Sequence, residues 1–228
     1  MATIRLSEAD HARVTASVAR AEQGTDGEIV TIVTGHSDDY RDVAFIWAVA
    51  AMLFAIGAIA LFPGVIEAKL DWMSGGWRAE GDAEAQRLLL FVLAAELIVY
   101  LVVRYALSWD RLRFALTPRA VKSRRVRRRA VQFFRASAEK RTTTRVGILL
   151  YLSLDEHVAE IVADEAIHHA VPPERWGDAM AALVDKVREG DPAGGMVAAV
   201  DAIGDILYAH VPASEDNPNE LPDRLIEL

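Results

Sequence analysis

The chain has 228 residues, of which 52% are hydrophobic, and a formal net charge of -8 at pH 7. It contains no cysteine, which excludes disulfides, thiolate metal sites and a cysteine nucleophile. Once a long apolar stretch in the middle is set aside, the remaining length suffices for one compact soluble domain but not for two.

The N-terminal part, residues 1–42, predicts one amphipathic helix and one strand. Ser7 followed by Asp10 is typical of a capping box, and apolar residues then recur at helical spacing until Gly24. A β-branched run over 28–33 has the composition and length of a strand.

Two apolar runs within 43–109 predict a transmembrane helical hairpin, with spans at about 43–63 and 88–108. About twenty apolar residues in a helix cross a hydrocarbon core, and the first run contains no charged residue. The second run is interrupted by Glu96. Because a charge at the bilayer centre costs about 2.5 kcal/mol or more, we expect Glu96 to be protonated, paired or turned toward another helix, which would allow a homo-oligomer.

The segment after the second apolar run is strongly basic, with twelve Lys or Arg residues and one acid between 111 and 141. Basic residues beside a membrane helix remain in the cytoplasm, so the pattern predicts a multi-pass inner-membrane protein with cytoplasmic N- and C-termini. The cluster is either a topology signal alone or a site for anionic lipid headgroups. Nucleic acid is disfavoured because no aromatic residues alternate with the arginines. The candidate lipid ligands are Arg124, Arg125, Arg128 and Arg129.

Residues 110–212 predict a basic helix that begins after Thr117-Pro118, two strands at 146–152 and 157–162, and three further helical segments. Residues 213–228, which are rich in acids and contain prolines, predict a disordered tail.

The order of these elements predicts an α/β fold, an αβα sandwich with a small central sheet covered by helices on both faces. The first strand precedes the apolar hairpin and the other two follow it. The hairpin is therefore expected to be an insertion into one domain, built from 1–42 and 110–212.

Five segments of the chain, in their order and spacing, match the pattern of a known protein family. They are Asp26-Gly27-Glu28-Ile29-Val30, residues 144–154, residues 158–164, Trp176 and the helix that contains Gly194-Gly195. Together they resemble the TPM domain family, in particular its bacterial membrane-embedded branch, over most of residues 6–212. The resemblance implies an αβα sandwich and a role in the assembly, maintenance or quality control of membrane proteins. Some relatives are described as acid phosphatases or calcium binders.

Acidic residues and a histidine near the predicted strands are the candidate metal ligands, and calcium is the cofactor that the resemblance admits. If Asp164 and His168 were both helical, they would lie on one face and could share a divalent ion. Calcium would instead need several oxygens that the fold brings together. The alternative is that these side chains are solvated or cap elements. The candidates are Glu28, Asp155, Glu160, Asp164 and His168.

Two functions follow from this sequence. The first is a non-enzymatic, membrane-anchored interaction module that acts on other membrane proteins. The alternative is a metal-dependent, calcium-binding phosphatase-like hydrolase. The chain has no glycine-rich phosphate loop, no G-x-S-x-G elbow and no dense aspartate cluster. Soluble members of the family carry a glycine-rich segment after the third strand, whereas residues 163–169 of this chain contain no glycine. These absences favour the first function.

Overall fold

The computed structural model describes residues 6–73, 82–137, 147–214 and 221–228. The chain divides into two compact units. We call Met1–Asp38 together with Pro118–Leu228 the sheet unit, and Asp39–Thr117 the helical unit.

In the described residues, the sheet unit has two elements before the insertion and seven after it, the last of which is a short strand. Its elements are α1 (Glu8–Ala21), β1 (Glu28–Thr34), α6 (Arg119–Ser137), β2 (Gly147–Ser153), β3 (Val158–Ala163), α7 (Glu165–Ala170), α8 (Pro173–Arg188), α9 (Pro192–His210) and β4 (Ile226–Glu227). The helical unit consists of α2 (Arg41–Leu61), α3 (Pro63–Met73), α4 (Asp82–Ala106) and α5 (Asp110–Leu116).

The sheet has the strand order β3-β2-β1-β4. β1 pairs with β2 in parallel from Glu28↔Gly147 to Thr34↔Ser153, and β3 runs antiparallel to β2. All seven residues of β1 and all seven of β2 are buried. The two central strands therefore come from opposite sides of the insertion, as the sequence predicts.

Helices cover both faces of the sheet, which confirms the predicted αβα sandwich. On one face, Ile29 and Ile148 pack in a core with residues of α1, α8 and α9. On the other face, Val30 and Leu149 pack with Val126 of α6. Alternate residues of each strand point to opposite faces, so each central strand serves both cores.

Local sequence signals set several helix ends. The capping box at Ser7 is present, with the Asp10 amide donating to the serine hydroxyl and the Asp10 carboxylate accepting from the Ser7 amide. Asp191 caps α9 by accepting a hydrogen bond from the Gly194 amide at 2.7 Å, and Gly190 lies in the left-handed region with φ +88°.

The prediction of a disordered tail over 213–228 is wrong for residues 221–228. Leu221 and Leu225 are buried, and β4 pairs in parallel with Ile32 and Val33 of β1. The outer edge of β1 has unpaired backbone groups that this segment satisfies, which composition alone does not show. Residues 215–220 of the predicted tail, and Val146 at the start of the second predicted strand, lie outside the described residues.

The helical unit contains two helices, Arg41–Leu61 and Ala85–Ala106, that are long and apolar enough to cross a membrane by length and composition. Their large apolar side chains are exposed, for example Phe54 at 79% and Leu89 at 69%. α2 begins two residues before the first span expected from sequence, at about 43–63, and α4 begins six residues before the second, at about 88–108. The sequence did not predict α3 and α5.

Candidate functional site

The fold does not bring the five candidate metal ligands together at one place. Glu28 opens β1, whereas Asp155 follows β2 at the opposite edge of the sheet. At about 3.3 Å per residue, a seven-residue strand places these two edges about 20 Å apart. Calcium ligands lie about 2.3–2.6 Å from the ion, so Glu28 and Asp155 cannot share one.

The remaining candidates also have other contacts. The Asp164 carboxylate accepts a hydrogen bond from the Gly147 amide at 2.8 Å, and Asp164 has an extended backbone just before α7. It therefore does not share a helical face with His168, whose exposed ring lies edge-on to that of His169. Glu160 pairs with Arg127 at 3.3 Å. Burial raises the pKa of Glu160, although the charge of Arg127 opposes that shift.

Across the described ranges, no group of three or more His, Asp or Glu side chains is placed to hold a metal ion. The five predicted ligands therefore do not fit a single calcium site.

The amino edge of the sheet carries a pair of acidic side chains that sequence reasoning did not connect. Glu22, at the end of α1, accepts a hydrogen bond from the Ile29 amide at 2.7 Å. Glu28 is buried and accepts one from the Leu221 amide at 3.2 Å. Burial, together with the nearby charges of Glu28 and Asp223, raises the pKa of Glu22 to about 8, although the hydrogen bond from the Ile29 amide opposes the shift. These carboxylates join the C-terminal segment to the start of β1.

The carboxyl edge of β1 and β2 carries a polar network around the buried side chain of Glu156. Glu156 accepts hydrogen bonds from the Ser153 hydroxyl and, at 2.8 Å, from the Ser37 amide. The Ser37 hydroxyl lies 3.0 Å from the Tyr151 hydroxyl, and burial raises the pKa of Tyr151. Because the Ser153 hydroxyl donates to a carboxylate that the Ser37 amide also holds, we assign the network a positioning role rather than nucleophilic chemistry.

Sequence reasoning did not identify this network. Ser37 and Glu156 are 119 residues apart, and no spacing rule links residues on either side of an insertion. Their only local signal is that both follow the ends of predicted strands, where ligands of open α/β sheets bind.

The arginines predicted to bind lipid have different surroundings. Arg125 pairs with Asp38 at 3.1 Å and is largely buried, so it holds the loop after β1 against α6. Arg129 lies over the ring of Phe133, 5.0 Å from its centroid. Arg124 and Arg128 are exposed on α6. The four side chains therefore do not form one uniform cationic surface.

Glu96, the predicted polar residue of the second apolar helix, is 5% exposed. Neither of its carboxylate oxygens has a hydrogen-bond partner within the part of the chain that the structure describes. A buried carboxylate without partners is unfavourable, so this position in α4 is unusual for a purely structural helix.

Comparison with known proteins agrees with this architecture. A family model described as the TPM domain matches residues 110–206. The structure is similar to the NMR structure of the BA42 protein from the psychrophilic bacterium Bizionia argentinensis, with a TM-score of 0.56 and 15% sequence identity over 100% of both chains. At that identity the likeness concerns the fold alone. Comparison with curated proteins gives no match.

Proposed function

We propose that this chain is a TPM-domain protein anchored in the inner membrane by a helical hairpin, which the match of residues 110–206 to the TPM domain model supports. Its role is that of a non-enzymatic interaction module for the assembly, maintenance or quality control of membrane proteins. The partners are the lipid bilayer and other membrane proteins.

One observation carries the proposal: an apolar helical unit is inserted into a sheet whose halves rejoin. β1 and β2 pair along their whole length, so both ends of the helical unit continue into the same sheet unit. An insertion with this connectivity must enter and leave a membrane on one side. Only 17% and 6% of the apolar windows of α2 and α4 are buried, which favours a lipid environment for their exposed side chains.

The basic character of α6 supports a cytoplasmic position for the sheet unit. α6 begins two residues after the helical unit ends, and its sequence carries arginines close to that junction. Basic residues within about 15–20 residues of a membrane helix favour the cytoplasmic side.

The absence of natural cysteines makes the topology directly testable by labelling with a membrane-impermeant maleimide. Single-cysteine variants A16C in α1 and D185C in α8 place an exposed probe before and after the insertion. Variant L53C places one on α2, where the leucine is 66% exposed. We expect A16C and D185C to react only in inside-out vesicles, and L53C to react only after the membrane is dissolved.

Labelling of A16C and D185C from opposite sides would refute a single cytoplasmic sheet unit. Reaction of L53C in sealed vesicles of either orientation would refute the membrane position of α2.

The alternative function, a metal-dependent phosphatase-like hydrolase, is separated by a turnover assay. Purified chain is incubated with phosphomonoesters and calcium beside the D164A variant. We expect no turnover that D164A removes, because the Asp164 carboxylate is engaged by the Gly147 amide and, in the described residues, no three His, Asp or Glu side chains are placed to hold a metal ion. Hydrolysis by the natural chain that D164A abolishes would contradict the non-enzymatic role.

A further inference from the structure

A cavity of about 690 Å³ lies in the sheet unit between the start of α6, the turn from β2 to β3, and the C-terminal half of α8. Pockets for small organic ligands have volumes of about 300–1,000 Å³. The cavity is thus large enough to hold part of a lipid.

The floor of the cavity is aliphatic. Leu152 and Leu183 belong to the buried core, and Val158, Val184 and Val187 complete the floor with half-buried side chains. None of these side chains can form a hydrogen bond, so the floor suits a hydrocarbon chain. A peptide would leave its backbone N–H and C=O groups without side-chain partners there.

The rim of the cavity is cationic. Arg119 and Lys122 lie three residues apart on the first turn of α6 and therefore share one face of that helix. Arg188 adds a third cation from the end of α8 and is 3.8 Å from Asp185. The acidic residue of the lining is Glu156, whose two oxygens already accept hydrogen bonds from Ser153 and Ser37.

We propose that this cavity binds a single-chain anionic lipid, with the hydrocarbon chain on the aliphatic floor and the phosphate or carboxylate head at Arg119 and Lys122. An anionic head and an apolar tail match the two chemistries that the cavity combines. These cations differ from the arginines that the sequence singled out farther along α6.

The bilayer is the source of the lipid, and this part of the inference depends on the proposed function. Arg119 follows Thr117, the last residue of the helical unit, by two positions. α4, the helix proposed to leave the membrane, ends at Ala106, and a chain that includes α5 connects it to the rim residue Arg119.

The test uses the full chain with variant S123C, which carries an environment-sensitive dye at an exposed position of the cavity lining. The protein is titrated with dodecyl phosphate, dodecylphosphocholine and inorganic phosphate in separate experiments. We expect saturable binding of dodecyl phosphate, with the zwitterionic amphiphile and inorganic phosphate each binding at least about tenfold more weakly.

Two double variants separate the cavity from the general basic charge of α6. R119Q/K122Q removes two rim cations, and we expect about tenfold or greater weakening of dodecyl phosphate binding. R124Q/R128Q removes the same charge from exposed positions outside the lining, and we expect less than about twofold change. A159F, which fills the cavity from β3, should also weaken binding, and circular dichroism verifies that each variant is folded.

Equal binding of dodecyl phosphate and dodecylphosphocholine would overturn the proposal, as would equal effects of the two double variants. Inorganic phosphate binding as tightly as dodecyl phosphate would instead indicate a free-anion site. Displacement of the amphiphile by an acidic amphipathic peptide, with no preference for the lipid, would assign the cavity to a protein partner. None of these outcomes depends on membrane insertion, which the maleimide experiment tests separately.

Discussion

Replacement of Glu22 by glutamine should remove much of the pH dependence of sheet-unit stability. The Glu22 carboxylate accepts a hydrogen bond from the Ile29 amide at the start of β1, and burial, with the charges of Glu28 and Asp223, raises its pKa to about 8. A glutamine side chain has a carbonyl oxygen that can accept the same hydrogen bond from the Ile29 amide, but it does not ionise. The variant therefore isolates the titration from the hydrogen bond.

The direction of the pH dependence follows from the number of protons bound by the folded and the unfolded chain. Between about pH 4.5, the ordinary pKa of a glutamate, and about pH 8, Glu22 keeps a proton in the folded chain that it has lost in the unfolded chain. The free energy of unfolding therefore falls as pH rises through this range. At about 1.36 kcal/mol per unit of pKa, the full difference sets an upper limit of about 5 kcal/mol. Because solvent reaches part of this side chain, we expect about 1–3 kcal/mol for the loss between pH 5 and 9.

Amide hydrogen exchange of the β1 peptide measures this effect in the full chain. The natural protein and E22Q are compared at the same pH, so that intrinsic exchange rates cancel, at several values from pH 5 to 9. We expect E22Q to become progressively more protected than the natural chain as pH rises. E8Q, at an exposed position of α1, is the matched control and should follow the natural chain.

A difference between E22Q and the natural chain that stays constant from pH 5 to 9 would refute the reasoning. So would a stability of the natural chain that rises with pH in step with that of E22Q.

Two further predictions concern packing and use the same measurement. G195A should destabilise the sheet unit by about 1–3 kcal/mol, because its Cβ would lie 2.7 Å from the backbone oxygen of Leu183. G177A, on an open face of α8, should instead stabilise it by about 0.5–1 kcal/mol, and the opposite order would contradict the close approach of α8 and α9. L225A should cost about 2 kcal/mol because Leu225 is buried, whereas L228A at an exposed leucine should change little. Equal effects of these two would show that the C-terminal segment does not pack as described.

The predictions that succeeded rest on residues close together in sequence. Ser7 and Asp10 cap α1 because a capping box links residues only three positions apart. The β-branched run at 28–33 forms β1 because β-branched side chains fit a buried strand. The order of the elements and the resemblance to the TPM family both indicated the sandwich architecture.

Two features of the chain depend on distances between remote residues, which the sequence does not supply. The candidate metal ligands were grouped because they lie near strand ends, but the parallel register of β1 and β2 puts Glu28 and Asp155 at opposite edges. The C-terminal segment was predicted to be disordered from its composition, yet Leu225 fills the core beside β1.

The sequence by itself determined the helix and strand types, the apolar insertion and the basic helix that follows it, because propensity, periodicity and charge act over a few residues. Only the tertiary structure decided which residues meet. The pairing of Ser37 with Glu156 and the cavity between α6 and α8 arise when two sides of an insertion close one sheet. That closure depends on burying apolar surface shared by residues more than a hundred positions apart, which local sequence patterns do not encode.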